Sequence, residues 1–123
     1  MARLLYVHSG GVGTPERSAT PIYLATTAAA MDIEVGIYFT VNGPTLLKKG
    51  VAESLIVPKH DGNGAPLRRF IDQAIDMGVK FYVCQPSLDL HGLTKEDLID
   101  GVEMIGGAAF NDMALEADRV ICF

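Results

Sequence analysis

The chain has 123 residues and a mass of 13.2 kDa, which is the size of one compact domain. Its residues are 49% hydrophobic and 20% charged, a balance that excludes intrinsic disorder. The net charge of −5 argues against a binder of nucleic acids or anionic membranes, and no apolar run approaches the ~18 residues of a spanning helix. Two cysteines are too few for a disulfide framework. These features predict a cytoplasmic protein of one domain, residues 1–123.

The first half of the chain alternates strand and helix patterns. The apolar run 4–7 predicts a strand buried on both faces. Apolar residues spaced by three and four predict a helix from 14 to 30, with Pro15 at its first position and Asp32 at its end. The β-branched and aromatic run 33–40 predicts a second strand. A short helix that ends at Gly50 follows.

The second half continues the same alternation. Its predicted elements, in chain order, are a weak strand over 54–57, a helix from Pro66 to Gly78, a strand over 79–84, a short helix opened by Thr94, a helix over 108–117 and a strand over 119–123. Asp97 is placed as the acidic member of a capping box for the helix at Thr94. Such an order predicts βαβ units with a parallel sheet. The predicted fold class is therefore α/β: a flavodoxin-like single domain whose five-stranded, mostly parallel sheet is flanked by helices on both faces.

Cys84 is the first candidate for chemistry, because it is the last residue of the predicted fourth strand. In an open parallel sheet, ligands gather beyond the carboxyl ends of the strands, and Pro86 turns the chain out of the sheet there. A helix N-terminus nearby, such as that at Thr94, would stabilise a thiolate. The alternative is a buried cysteine that packs as a small hydrophobe. Cys122 fits a core or edge-strand thiol, and a resolving role for it requires a Cα within ~7 Å of Cys84.

The loop Gly10–Gly13 between the first strand and helix is the second candidate. It lacks the Walker lysine and the dinucleotide fingerprint, so either its amides hold a small anion or it is a flexible turn. His8, at a strand end, and His91, seven residues beyond Cys84, are candidates to polarise the thiol. The histidines and cysteines lack metal-ligand spacing, so no metal and no organic cofactor are predicted.

Residues 81–93 contain Phe-Tyr-Val-Cys-Gln-Pro-Ser followed by Leu-Asp-Leu-His-Gly-Leu. This segment and its continuation through 95–107 resemble the cysteine segment of the DsrE/DsrF-like family. Residues 20–31 resemble the first helix of the family, and residues 37–43 its second strand and loop. The chain is most similar to the DsrE-like subgroup linked to sulfur oxidation through heterodisulfide-reductase-like complexes.

The resemblance implies a cytoplasmic sulfur-relay protein that forms a homotrimer or larger oligomer. The active cysteine, Cys84 here, would carry sulfane sulfur as a persulfide or thiosulfonate and exchange it with a TusA-like carrier protein. Pro86 and His91 stand where other members often have Met or another apolar residue. A second cysteine that many relatives have in this loop is absent, which argues against an internal two-cysteine relay.

The functional hypothesis is a sulfur carrier or sulfurtransferase that acts through Cys84. The candidate supporting residues are Gln85, Ser87, His8 and His91. One alternative is a non-enzymatic oligomeric binding module that uses the Gly10–Gly13 loop for a small anion or nucleotide. Another is a structural subunit of a sulfur-enzyme complex, without transfer activity of its own.

Overall fold

The computed structural model describes residues 1–123. Its strands are, in chain order, β1 (Arg3–His8), β2 (Glu34–Phe39), β3 (Ile56–Val57), β4 (Ala65–Pro66), β5 (Lys80–Cys84), β6 (Val102–Ile105) and β7 (Arg119–Cys122). Its α-helices are α1 (Pro15–Ser18), α2 (Thr20–Ala30), α3 (Val51–Ser54), α4 (Leu67–Asp76), α5 (Gln85–Leu90) and α6 (Gly107–Glu116). Two 3₁₀ turns span Gly43–Leu47 and Lys95–Asp97.

Five strands form one sheet in the order β6-β5-β2-β1-β7, and every neighbouring pair is parallel. Helices α2 and α4 pack together on one face, and α6 covers the other. The predicted class, a five-stranded parallel sheet with helices on both faces, is confirmed. The strand order reverses beside β1, because β7 returns to the free side of β1. In flavodoxin the edge strand beside the first strand is the second strand of the chain, whereas here it is the last strand, β7.

The membership of the sheet differs from the prediction at one strand. Residues 54–57 form only the two-residue strand β3, which pairs antiparallel with β4 outside the main sheet. The edge place is taken by β6, which the sequence analysis did not predict as a strand. Three of its four residues are apolar, but the strand is short and Glu103 interrupts the run, so the apolar pattern is weak. A short, charged strand is a common way to protect a sheet edge.

The hydrophobic core lies between the sheet and the layer of α2 and α4. Strands β2 and β5 contribute four almost fully buried side chains to it, those of Ile37, Phe39, Phe81 and Val83. Burial of each such side chain stabilises the fold by about 1.5–3 kcal/mol. The alternate residues of the same strands face α6, none of whose ten residues is buried. The α6 side of the sheet is therefore only thinly covered.

The helices follow the predicted order with shifted bounds. The helix predicted over 14–30 is broken at Ala19 into α1 and α2, because Pro21 lacks the N–H that would continue the hydrogen-bond ladder. Gly50 has the positive φ of the predicted C-cap glycine, +85°, but it lies beyond the 3₁₀ turn that ends at Leu47 and directly precedes α3. The capping box of Thr94 and Asp97 is present. No helix combines the length and apolarity needed to cross a membrane.

Candidate functional site

Cys84 ends β5 and is the N-cap residue of α5, so the chain turns from strand to helix directly at the thiol. Helix α5 was not predicted from the sequence. Pro86 favours it, because proline is well suited to the first turn of a helix, where its missing N–H leaves no bond unmade. The Cys84 residue is half-buried, on the face of the sheet that α6 covers. A thiol in this position is fixed by the strand and remains accessible.

Three hydroxyl groups from neighbouring elements surround the thiol. Tyr38 belongs to β2, and its ring lies 4.4 Å from that of Phe110 in α6. Thr40 directly follows β2, and Ser87 lies in the first turn of α5. The neutral Cys84 side chain makes no capping hydrogen bond to α5, but the hydroxyls of Tyr38, Thr40 and Ser87 and the amide of Ser87 lie close enough to stabilise its thiolate. Four donors around one sulfur form a site for a thiolate.

The ionisation of Cys84 reflects two opposing effects. Burial of the thiol favours its neutral form, but the side chains of Ser87, Tyr38 and Thr40 and the amide of Ser87 stabilise the anion, and together they lower the pKa of Cys84 below its ordinary value. Burial, together with the neighbouring Cys84, raises the pKa of Tyr38 far above its ordinary value. The phenol therefore keeps its proton and remains a donor. The site favours a nucleophilic cysteine at neutral pH.

The loop after β2 is held against α5 by two hydrogen bonds. The amide of Val41 donates to Oγ of Ser87 over 2.8 Å, and Nε2 of His91 donates to the carbonyl of Val41 over 2.8 Å. Val41 has φ +58°, a conformation that costs a β-branched residue about 1–3 kcal/mol. Because Oγ of Ser87 accepts from Val41, its own O–H is free to donate towards the thiol. His91 thus positions the loop and does not itself contact Cys84.

The other two predicted site residues, Gln85 and His8, are not among the groups that act on Cys84. Gln85 is exposed in the first turn of α5, and its side chain makes no hydrogen bond within the chain. His8 points to the opposite face of the sheet, where its ring packs beside Phe39. Of the predicted supporting residues, Ser87 therefore lies next to Cys84. His91 acts only through the loop of Val41, and His8 lies on the other face of the sheet.

Cys122 lies on the same face of the sheet as Cys84, but three strands away, since β2 and β1 separate β5 from β7. At about 4.8 Å per strand this is about 14 Å, too far for a disulfide within one chain. Both cysteines are free, and Cys122 is exposed. No group of three or more His, Cys, Asp or Glu side chains is placed to hold a metal ion.

Tyr38 and Thr40 were missed in the sequence analysis. Both residues stand at the carboxyl end of a predicted strand, as Cys84 does, and this position could have marked them as candidates. Which strand neighbours β5 depends on the sheet order, which the sequence pattern does not supply. Without that order, a strand tyrosine is indistinguishable from a core residue.

Replacing Tyr38 with Phe should raise the pKa of Cys84, because one donor to the thiolate is lost while the ring still packs on Phe110. The rate of alkylation of the thiol by iodoacetamide, measured against pH in a Cys122→Ser background, gives this pKa as its midpoint. Tyr82→Phe is the matched control: Tyr82 lies level with Tyr38 on the adjacent strand and is not a donor to Cys84. Equal midpoints in the Tyr38→Phe protein and its parent would contradict the assignment.

Comparisons with known proteins agree with the geometry of the fold. A family model described as DsrE/DsrF-like matches residues 2–123. The chain is 28% identical to "Sulfur carrier protein DsrE2" of Allochromatium vinosum, over 86% of this chain and 89% of that protein. It is 32% identical to an uncharacterized protein of Methanopyrus kandleri, over 88% and 83% of the two chains. The crystal structure of the ychN protein from E. coli has a TM-score of 0.81 at 20% identity and covers both chains fully, which is a likeness of fold. The chain therefore belongs to the DsrE/DsrF-like family.

Proposed function

We propose that this protein is a sulfur carrier that accepts sulfane sulfur on Cys84 and passes it to another thiol. The observation that carries the proposal is the set of donors from Tyr38, Thr40 and Ser87 around an accessible thiol at the end of β5. Membership of a family in which one similar protein is named a sulfur carrier supports it. The site needs no metal and no organic cofactor for this chemistry.

The transfer is an exchange of one sulfur–sulfur bond for another. The thiolate of Cys84 attacks the outer sulfur of a donor persulfide, forms a new S–S bond and displaces the donor as its thiolate, which keeps the electron pair of the broken bond. A donor thiosulfonate reacts in the same way, so that the sulfonate-bearing sulfur moves to Cys84. No oxidant or reductant is consumed. The rate rises with the thiolate fraction, which the donors around Cys84 increase.

The supporting residues take different parts in this scheme. Ser87 donates to the thiolate, and His91 holds the loop of Val41 against α5 so that Ser87 stays in place. Gln85 is exposed beside the thiol, where it is available to a docking protein. His8 takes no part, because it lies on the other face of the sheet.

The donor and acceptor are proteins in this proposal, with a TusA-like carrier as the exchange partner. A heterodisulfide-reductase-like complex is the proposed destination of the sulfur, in the cytoplasm. The half-buried thiol suits this role, since a partner can reach it while the surrounding elements limit its contact with oxidants. Cys122 does not relay sulfur within the chain, because it is three strands away.

The protein also works as a homo-oligomer in this proposal, with a trimer as the expected form. The side of the sheet under α6 supports this: α6 buries none of its residues, Leu115 is 84% exposed and the free edge of β7 is exposed along its length. A second copy packed there would cover both apolar residues and unpaired backbone groups.

Light scattering should therefore give three times the chain mass of 13.2 kDa. Leu115→Glu places a charge in the contact and should lower the mass towards that of one chain. Met31→Glu is the control, since Met31 is comparably exposed but follows α2 on the other face of the sheet. A wild-type mass of one chain, or dissociation by the Met31 variant alone, would contradict this assembly.

Incubation with a persulfidated TusA-like carrier should add sulfur to the wild-type protein, and reductant should remove it. Cys84→Ser should abolish this adduct, because the attacking thiolate is gone. Cys122→Ser is the matched control and should be loaded like the wild type. Intact-protein mass spectrometry measures all three proteins in parallel.

Two results would overturn the proposal. If Cys122→Ser cannot be loaded, sulfur does not rest on Cys84 alone. If the wild type takes sulfur from no sulfane donor, yet Cys84→Ser and wild type both capture the same partner complex, the protein is a structural subunit and not a carrier.

A further inference from the structure

A cleft of about 360 Å³ opens at the carboxyl end of β1, separate from the Cys84 site. Its walls come from the loop after β1, helix α1, the loop after β2 and Phe123, which is its one hydrophobic lining residue. The cleft lies where the strand order of the sheet reverses, since β7 and β2 flank β1. Ligands of open α/β sheets bind at such reversal points.

His8 supplies an unpaired polar atom at this place. Its residue is only 1% exposed. Nε2 lies 2.8 Å from the carbonyl oxygen of Ser18, and because a carbonyl only accepts, Nε2 carries the hydrogen and donates it. Nδ1 is buried and has no hydrogen-bond partner, the one such side-chain atom in the chain. Buried polar atoms of native proteins are normally paired, so this atom requires an explanation.

The unpaired edge of the imidazole faces Gly10, which lines the cleft. A methyl group placed on Gly10 would lie 3.4 Å from Cε1 of His8 and 3.8 Å from Nδ1. Gly10 does not have a left-handed backbone conformation that would require glycine. Nδ1 itself has almost no exposed surface, but the missing side chain leaves room for a methyl-sized group within contact distance of it.

The protonation of His8 determines what that group must offer. Burial lowers the pKa of His8; the bond to Ser18 opposes this, and the charge of Arg17 adds to the lowering. The ring is thus neutral at pH 7. Since Nε2 holds the hydrogen, Nδ1 presents only a lone pair. A partner of Nδ1 must therefore donate an O–H or an N–H.

The charged and amide groups of the cleft favour a negative ligand. Arg17 lines it together with Gly10 and Gly11, whose amides donate to no acceptor within the chain. Glu16, also in the lining, is a second acceptor for a hydrogen on the ligand. The cleft thus contains hydrogen-bond donors that suit an anion, and two acceptors, Nδ1 of His8 and the Glu16 carboxylate, that suit an O–H on the same ligand. Hydrogen phosphate combines both needs, while sulfate, of similar shape, carries no proton at neutral pH.

We propose that this cleft binds a phosphoryl oxyanion that retains an O–H, with Nδ1 of His8 accepting that hydrogen and with Arg17 and the amides of Gly10 and Gly11 holding the negative charge. The site goes beyond sulfur transfer, because His8 and Cys84 lie on opposite faces of the sheet. The phosphoryl group is that of free phosphate, because a phosphate monoester, with its second pKa at about 6, is mainly a dianion without an O–H at pH 7.

The test is a calorimetric titration of the full chain at pH 7 with inorganic phosphate, and with sulfate at matched ionic strength. We expect phosphate to bind at least about tenfold more tightly, the factor that an unpaired buried acceptor costs the sulfate complex. Adenosine monophosphate is the third arm: mainly a dianion without an O–H at pH 7, it should bind no more tightly than sulfate. Equal affinity for phosphate and sulfate, or no binding of phosphate, would overturn the proposal.

Gly10→Ala is the diagnostic variant, because its methyl group fills the space in front of Nδ1 without backbone strain. It should remove the preference for phosphate over sulfate. Gly13→Ala, in the same loop, meets no atom within 4 Å and should bind like the wild type. Sulfur loading of Cys84 should be unchanged in both, which also shows that they fold. Undiminished phosphate preference in Gly10→Ala would count against the assigned site.

Discussion

The candidate site depends on the parallel pairing of β2 with β5. Parallel strands end at the same edge of a sheet, so the carboxyl ends of these two strands bring Tyr38, Thr40 and Cys84 together. Because side chains alternate between faces, the register that sends Phe39 and Val83 into the core places Tyr38 and Cys84 together on the other face. A slip of one residue would move the thiol into the core and its donors away from it. Core packing thus fixes the geometry of the chemistry.

The turn after Cys84 adds the remaining part of the site. Helix α5 begins immediately at the cysteine, so Ser87 offers both its hydroxyl and its amide to the sulfur. The strained loop of Val41 is tied to the same helix by Ser87 and His91. These bonds join the ends of β2 and β5 into one rigid unit. Donors that are held in place in this way stabilise charge without having to reorient as it develops.

Much of this arrangement could be predicted from the sequence. Strand and helix periodicity gave the fold class, and the Cys84–Pro86 strand end located the thiol, because apolar patterns and proline act locally. The sheet order could not be predicted, since it depends on which strands pair across the whole chain. For that reason His8 was considered beside Cys84 although it lies on the opposite face, and Tyr38 was not considered at all. Strand β6 was missed for a local reason, since it is short and Glu103 interrupts its apolar run. The unpaired Nδ1 of His8 likewise emerges only from packing.

The central claim is that the donors around Cys84 create the thiolate that takes up sulfur. The most direct measurement is the pH dependence of the single-turnover rate of sulfur uptake from one persulfide donor, for the wild type and for Tyr38→Phe, beside the ionisation of Cys84 in each. We predict that the midpoint of uptake follows that of ionisation and that both move to higher pH together in the variant. A shift in the ionisation of Cys84 with no shift in the uptake profile would contradict the claim.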